Sequence, residues 1–300
     1  MDPFGPTTTS LAVVVAFVLA VRARKKKTLT QTGAFVGCVV GFLIVSSGLR
    51  GMNLFFFYQI GSVATKFKND AKSKMDATMA DHSARGGLQV LAVAITPTVL
   101  SLIHAYFCGS ERPVEFLAGD EVGITNLASS LTCAVLSHHA TCLADTLASE
   151  LGILSKKTPI LVTQPWRSVP AGTNGGITLL GCAVSLLGGC IMGLLAVVLD
   201  YLSGTRPLNA VKMVFFGAVS GLVGSLADSL IGATLQSSYY DSEKKITFHA
   251  NSGNRPKSAK LVSGVNLLTN EQVNFFSGLF TSLLGGWILG PWMFGIRSAI

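Results

Sequence analysis

The stretch "TCLADTLASELG" (141–152) returns in near copy 83 residues later as "GSLADSLIGATLQ" (224–236), each an apolar segment with an aspartate at the same place. An aspartate at the centre of a membrane helix is unfavourable by about 2.5–3.5 kcal/mol, less near the interface, and Asn, Ser or Ala would serve a purely structural bundle. An interhelical hydrogen bond or a ring of satisfied polar groups would account for such residues structurally; a matched pair points to function. At helical spacing His138, Thr141, Asp145, Ser149 and Gly152 fall on one face, and Ser225, Asp228, Gly232 and Gln236 do so on the second segment. Each helix then carries a polar, small-residue stripe that keeps charge off lipid and lets a neighbour approach closely. The two read as parallel copies within an internal repeat.

Composition puts these segments in a bilayer. Of 300 residues, 49% are hydrophobic and 13% charged, with mean hydropathy +0.54, outside the usual range of a soluble domain. Apolar runs near 10–21, 32–49, 51–65, 87–107, 122–150, 176–201, 210–236 and 273–296 predict an all-α, polytopic transmembrane helix bundle of about eight spans. A single integral-membrane domain is expected over 1–300, with a short anchor and basic loop in 1–31 and the bundle core in 32–296.

Cations set the orientation, because Lys and Arg resist translocation. Segments 22–31, 66–86, 152–175 and 237–272 hold 18 of the 23 Lys and Arg residues. Eight spans place all four on the cytoplasmic side, and the net charge of +8 is then topological, with no nucleic-acid partner implied. The first apolar run lacks a small-residue cleavage site before its basic flank and reads as an anchor. No amphipathic Arg-rich transit segment is seen, so an endomembrane such as the endoplasmic reticulum is expected rather than a plastid. The six cysteines stand singly, without a Cys-x-x-Cys pair, and read as packing residues. His138 and His139 adjoin Cys142, but a metal site would need further ligands.

A loop beside the first aspartate carries a second signal. In "PWRSVPAGTNGGITLLG" (165–181), Gly172, Gly175 and Gly176 flank Thr173 and Asn174 where a new apolar span begins. Glycines at a helix N-terminus suit a phosphate cradle; the plainer alternative is a helix cap with Thr173 or Asn174 as N-cap. No Walker loop occurs in the chain. Lys156, Lys157 and Arg167 map to the same side as both aspartates. So do Arg85 and Gln89 in "ARGGLQV" (84–90), and Asn274 in "NEQVNFFSG" (270–278).

Together "ADTLASELG", "PAGTNGGIT", "GLVGSLADSLIGATLQ" and "VNFFS" resemble the signatures of the transmembrane protein 19 family, which includes the plant phytyl-phosphate kinase. The likeness covers roughly 30–290, and it is looser to the CTP-dependent dolichol kinases. It departs at Ala144, where a glycine is usual, and at Val63 and Val93, where Lys and Asn are expected. The resemblance implies a multi-pass membrane protein that transfers phosphate from CTP to an isoprenyl or other lipid monophosphate, with the bilayer, the lipid phosphate and the nucleotide as its partners. Asp145, Asp228 and Asn174 would be catalytic, with the two aspartates on Mg²⁺. Thr173, Gly175, Gly176, Ser149, Glu150, Gln236 and Asn274 would contact substrate or nucleotide, and by their place on the inner face Arg85, otherwise a snorkelling anchor, and Lys156 would join them. The alternatives are an ion-coupled transporter using the same carboxylates and a non-catalytic member of the family.

Overall fold

The computed structural model describes residues 2–80, 84–118, 123–249 and 255–298. Its helices are α1 (Pro6–Lys25), α2 (Gln31–Ser47), α3 (Met52–Lys66), the short α4 (Asn69–Lys72), α5 (Gly87–Cys108), α6 (Gly123–Gly152), α7 (Leu179–Ser203), α8 (Ala210–Leu235), α9 (Asn270–Leu284) and, after a π-helical turn at Gly285–Leu289, α10 (Gly290–Phe294). Their starts are specified locally. Thr30, Thr178 and Asn209 each accept a hydrogen bond from a first-turn N–H, Pro occupies the first turn of α1, and Thr269 with Gln272 forms a reciprocal capping box.

Among the described residues, every apolar run of the sequence forms helix over most of its length. Five segments among the described residues are long and apolar enough to cross a membrane: α1, α5, α7, α8 and the continuous Asn270–Phe294 stretch. The difference from the expected eight has a physical reason. The helices α2 and α3 have 17 and 15 residues, and α6 carries too many polar groups for a lipid-facing cylinder. It does not need apolar flanks: every residue from Ala128 to Ala144 is buried, because α6 is the axis on which α3, α5, α7, α8 and α9 pack. Around it the outer faces expose Val14 and Phe17 of α1, Leu187 and Leu194 of α7, and Phe280 and Leu283 of α9, an apolar surface suited to hydrocarbon.

Small residues allow the tightest crossing. A Cβ on Gly189 of α7 would lie 2.2 Å from the carbonyl oxygen of Gly217 on α8, and a Cβ on Gly217 would lie 2.4 Å from that of Gly189, so only glycine permits this backbone contact. Since α7 returns between them, α6 and α8 run in the same direction. Asp145 and Asp228 each stand seven residues before the last residue of their helices, Gly152 and Leu235.

The helices are joined in part by strands, which the apolar periodicity does not announce. They are β1 (Phe116–Ala118), β2 (Ile160–Leu161), β3 (Gln164–Ser168), β4 (Gly176–Ile177), β5 (Ser238–Asp241), β6 (Ile246–His249), β7 (Lys260–Ser263) and β8 (Ile296–Ser298). They pair as β1–β8 parallel, β3–β2–β4 antiparallel and β6–β5–β7 antiparallel. The last two sheets are built largely from the basic segments 152–175 and 237–272.

All four basic segments meet at one end. Leu29 bridges Arg85, Asp76 bridges Thr247, Thr247 Oγ1 donates to the Ala171 carbonyl at 2.7 Å, and Arg167 Nη2 donates to that of Val262 at 2.8 Å. The opposite end is closed around Arg50, whose Nε donates to Asp200 Oδ1 at 2.6 Å, Nη1 to Thr132 Oγ1 at 2.9 Å and Nη2 to the Arg112 carbonyl at 2.7 Å. Buried charge is tolerated there because the guanidinium is paired and hydrogen-bonded.

Candidate active site

A cavity of ≈ 1450 Å³ opens at the basic end and takes in residues from α1, α2, α3, α5, α6, α7, α8 and α9. Asp145 and Asp228 both line it and lie within electrostatic range of each other. Ser277 Oγ of α9 donates to Asp228 Oδ2 at 2.9 Å, which fixes that carboxylate. Thr146, Ser225 and Ser229 add oxygens to the same wall.

Of the residues expected from the sequence, Asn174, Thr173, Gly175, Gly176, Ser149, Glu150, Gln236, Asn274 and Arg85 also line this cavity. Lys156 does not: it is exposed, on the turn after α6, and outside the lining. Glu150 does line it, but its carboxylate forms a buried ion pair with Lys72 Nζ, which also donates to the Thr65 carbonyl at 2.8 Å. Glu150 therefore anchors α4 against α6 and offers no free carboxylate to a nucleotide. His138 and His139 are buried away from this lining, His138 Nε2 lying 2.9 Å from the Val93 carbonyl oxygen.

The glycine loop differs from the expected cradle. The helix that follows starts at Leu179 with Thr178 as its cap, and Gly176–Ile177 is strand β4, so the loop is not a helix N-terminus and neither Thr173 nor Asn174 is a cap. Three of its amides are also committed: Thr173 N to the Pro170 carbonyl (3.3 Å), Asn174 N to Ser238 Oγ (3.0 Å) and Gly176 N to the Thr173 carbonyl (2.9 Å). The Thr173 hydroxyl donates to Pro170 as well, at 2.7 Å. What the glycines provide is close approach in a left-handed turn. At Gly175, φ is +76° and a Cβ would lie 2.3 Å from Ala233 Cβ and 2.6 Å from the Ser229 carbonyl oxygen. The loop thereby lies flat on α8 and brings the Asn174 side chain to the cavity.

That side chain is positioned by residues sequence reasoning missed. Asn174 Nδ2 lies 3.1 Å from His249 Nδ1, and His249 Nε2 lies 3.2 Å from Asp76 Oδ2. Because an amide nitrogen only donates, Nδ1 accepts and Nε2 carries the hydrogen given to Asp76. Asp76 Oδ1 is held by the Thr78 amide and hydroxyl, both at 2.8 Å. The Asp76-Ala-Thr78 turn and the alternating "ITFH" strand were the available signals, masked by the surrounding lysines. Lys26, Lys27 and Lys66 line the cavity as well. At Arg85, burial draws the guanidinium below its ordinary range against the opposing pull of Tyr58 and Glu150, which makes an incoming anion a favourable partner.

Among the described residues no group of three or more His, Cys, Asp and Glu side chains could hold a metal ion. Two carboxylates are available to a cation here, the number Mg²⁺ uses when phosphate oxygens and water complete its shell.

Comparison with known proteins places the chain in a lineage. The family model described as "Integral membrane protein DUF92" matches residues 14–282. Protein PGR of Arabidopsis thaliana is 31% identical over 278 residues, covering 91% of this chain and 93% of its own. An uncharacterized membrane protein of Methanocaldococcus jannaschii is 26% identical over 75% of this chain and 82% of its own. Protein VTE6, chloroplastic, of Arabidopsis thaliana is 26% identical over 65% of this chain and 50% of its own. No solved structure matches the chain significantly. The expected endoplasmic-reticulum location finds no support in these comparisons, in which one relative is named as chloroplastic.

Proposed function

The chain belongs to the DUF92 family of integral membrane proteins, and on that premise we propose that it is a membrane-embedded kinase transferring phosphate from a nucleotide, CTP by family resemblance, to an isoprenyl or other lipid monophosphate at the basic, cytoplasmic face. The observation that carries this reading is a single cavity with the carboxylates of Asp145 and Asp228, an anchored asparagine and lysines at one end and apolar helix faces at the other. A lipid phosphate needs both environments together. The clustering of polar groups at one end favours an enzyme over a transporter, whose site sits near the midplane with access from both sides.

Asp145 and Asp228 would hold Mg²⁺, with Ser277 orienting the second carboxylate. The ion would supply neutralisation of the phosphate charge. A phosphate oxygen of the lipid attacks the terminal phosphorus of the nucleotide; the bond from that phosphorus to the bridging oxygen breaks, and the nucleoside diphosphate leaves with the electron pair. No proton changes hands, so the chain needs no strong base. Its task is positioning and charge compensation, by Asn174 on its His249–Asp76 support and by Arg85 and Lys66 at the rim.

The test is transfer of label from the terminal phosphate of CTP, and separately of ATP, to farnesyl or phytyl monophosphate by purified protein with Mg²⁺. Lipid diphosphate should form and fall at least about 100-fold in Asp145→Asn and in Asp228→Asn, the scale of losing a charge-stabilising group. No product from the unmodified protein with any nucleotide or chain length, together with ion-driven uptake abolished by the same substitutions, would establish transport instead.

A further inference from the structure

The polar end occupies only part of the cavity. Its lining continues along α2 from Ala34 through Gly37, Gly41 and Ile44 to Val45, and along α3 from Ser62 back to Leu54 and on to Gly51 just before that helix, away from the basic end. Apart from Ser62 and Tyr58 near the polar end, these α2 and α3 positions are apolar or glycine. Each path advances eleven residues, about 16 Å at 1.5 Å per residue.

We infer that this limb is the binding site for the hydrocarbon tail of the lipid monophosphate, and that Gly41 sets how long a tail it accepts. The inference rests on the kinase reading for the headgroup and adds the chain-length determinant. Continuity argues for the occupant: the limb opens from the same space as Asp145, Asp228 and Arg85, so a molecule whose anion sits there sends its tail along α2 and α3. Charge agrees, since the cavity's charged side chains, Lys26, Lys27, Lys66 and Arg85 with the carboxylates, lie outside the limb and, among the described residues, no acidic side chain lines it.

Length follows from geometry. An extended chain advances about 1.2 Å per bond, as a polypeptide backbone does, so the limb holds roughly fourteen bonds, or between three and four isoprene units. Gly41 lies seven residues along α2 from Ala34, about 10 Å, where the third unit would pass. A Cβ there would have Ala16 Cβ at 3.9 Å as its nearest neighbour, ordinary contact, so a side chain at this position projects into space the fold leaves open. Substitution to Ala is therefore compatible with the fold, and Leu obstructs the limb.

The experiment uses purified full-length chain in nanodiscs and lipid monophosphates of about two, four and eight isoprene units bearing a terminal diazirine, lengths chosen against the limb. Cross-linked residues are identified by peptide mass spectrometry. The four-unit probe should label Gly41–Val45 and Gly51–Leu54, and the two-unit probe should label short of Gly41. In Gly41→Leu, four-unit labelling should fall at least tenfold, with two-unit labelling changed less than twofold and Gly41→Ala intermediate. Labelling spread over lipid-facing residues such as Phe17 and Leu194, or an equal loss for both lengths in Gly41→Leu, would overturn the inference. Because cross-linking requires no phosphate transfer, correct labelling without product would refute the kinase reading alone, and product without limb labelling would refute this inference alone.

Discussion

Ser277 Oγ of α9 donates a 2.9 Å hydrogen bond to Oδ2 of Asp228 on α8, so a third helix sets the direction of one of the paired carboxylates. Groups that orient a metal-binding side chain tune affinity by about 10- to 100-fold. Ser277→Ala should therefore raise the Mg²⁺ concentration for half-maximal phosphate transfer about tenfold while leaving the maximal rate at saturating Mg²⁺ within a few-fold. An unaltered Mg²⁺ dependence would show that the hydroxyl has no positioning role.

Lys72 is 0% exposed and pairs with Glu150, tying α4 to α6. Removing one partner of a buried pair leaves an uncompensated charge and costs about 3–5 kcal/mol. Lys72→Met should lower the unfolding midpoint in detergent more than the double variant Lys72→Met/Glu150→Leu does. If the double variant proves the weaker of the two, the pair is not what holds α4.

Gly175 combines a left-handed backbone with contact against α8, whereas Gly86, at φ −77°, has nothing within 4 Å of the place a methyl group would take. Gly175→Ala should cost about 2–3 kcal/mol through strain and displacement of the loop, and Gly86→Ala a few tenths. Thermal unfolding should separate the two by roughly 3–4 °C. Equal midpoints would mean that the loop is free to move off α8.

Much of this was legible in the chain because it followed from periodicity and cost. Apolar runs marked the helices, and an aspartate too unfavourable to be incidental marked each of the two that meet in the cavity. The loops were less legible. Lysines there carry a topological signal that overlies the chemical one, so Lys72, buried against Glu150, looked like its exposed neighbours, and the Asp76 turn and the His249 strand were obscured in the same way. Glycines in "GTNGG" signalled close approach correctly, but not against what: Gly175 admits α8 and Gly172 admits Asp76, and three of the loop's amides are bonded to Pro170, Ser238 and Thr173. Such pairings join residues as far as 173 positions apart, as Asp76 and His249 are, and no local pattern encodes them.

On the proposed function, Asp145 and Asp228 would together hold one divalent cation when the nucleotide is bound. Electron paramagnetic resonance of Mn²⁺, standing in for Mg²⁺, measures this directly on purified protein with CTP present. Bound Mn²⁺ should appear in the unmodified chain, compete with Mg²⁺, and weaken at least about tenfold in Asp145→Asn and in Asp228→Asn, with the double substitution little worse than either. Mn²⁺ binding unchanged by both substitutions would contradict the account.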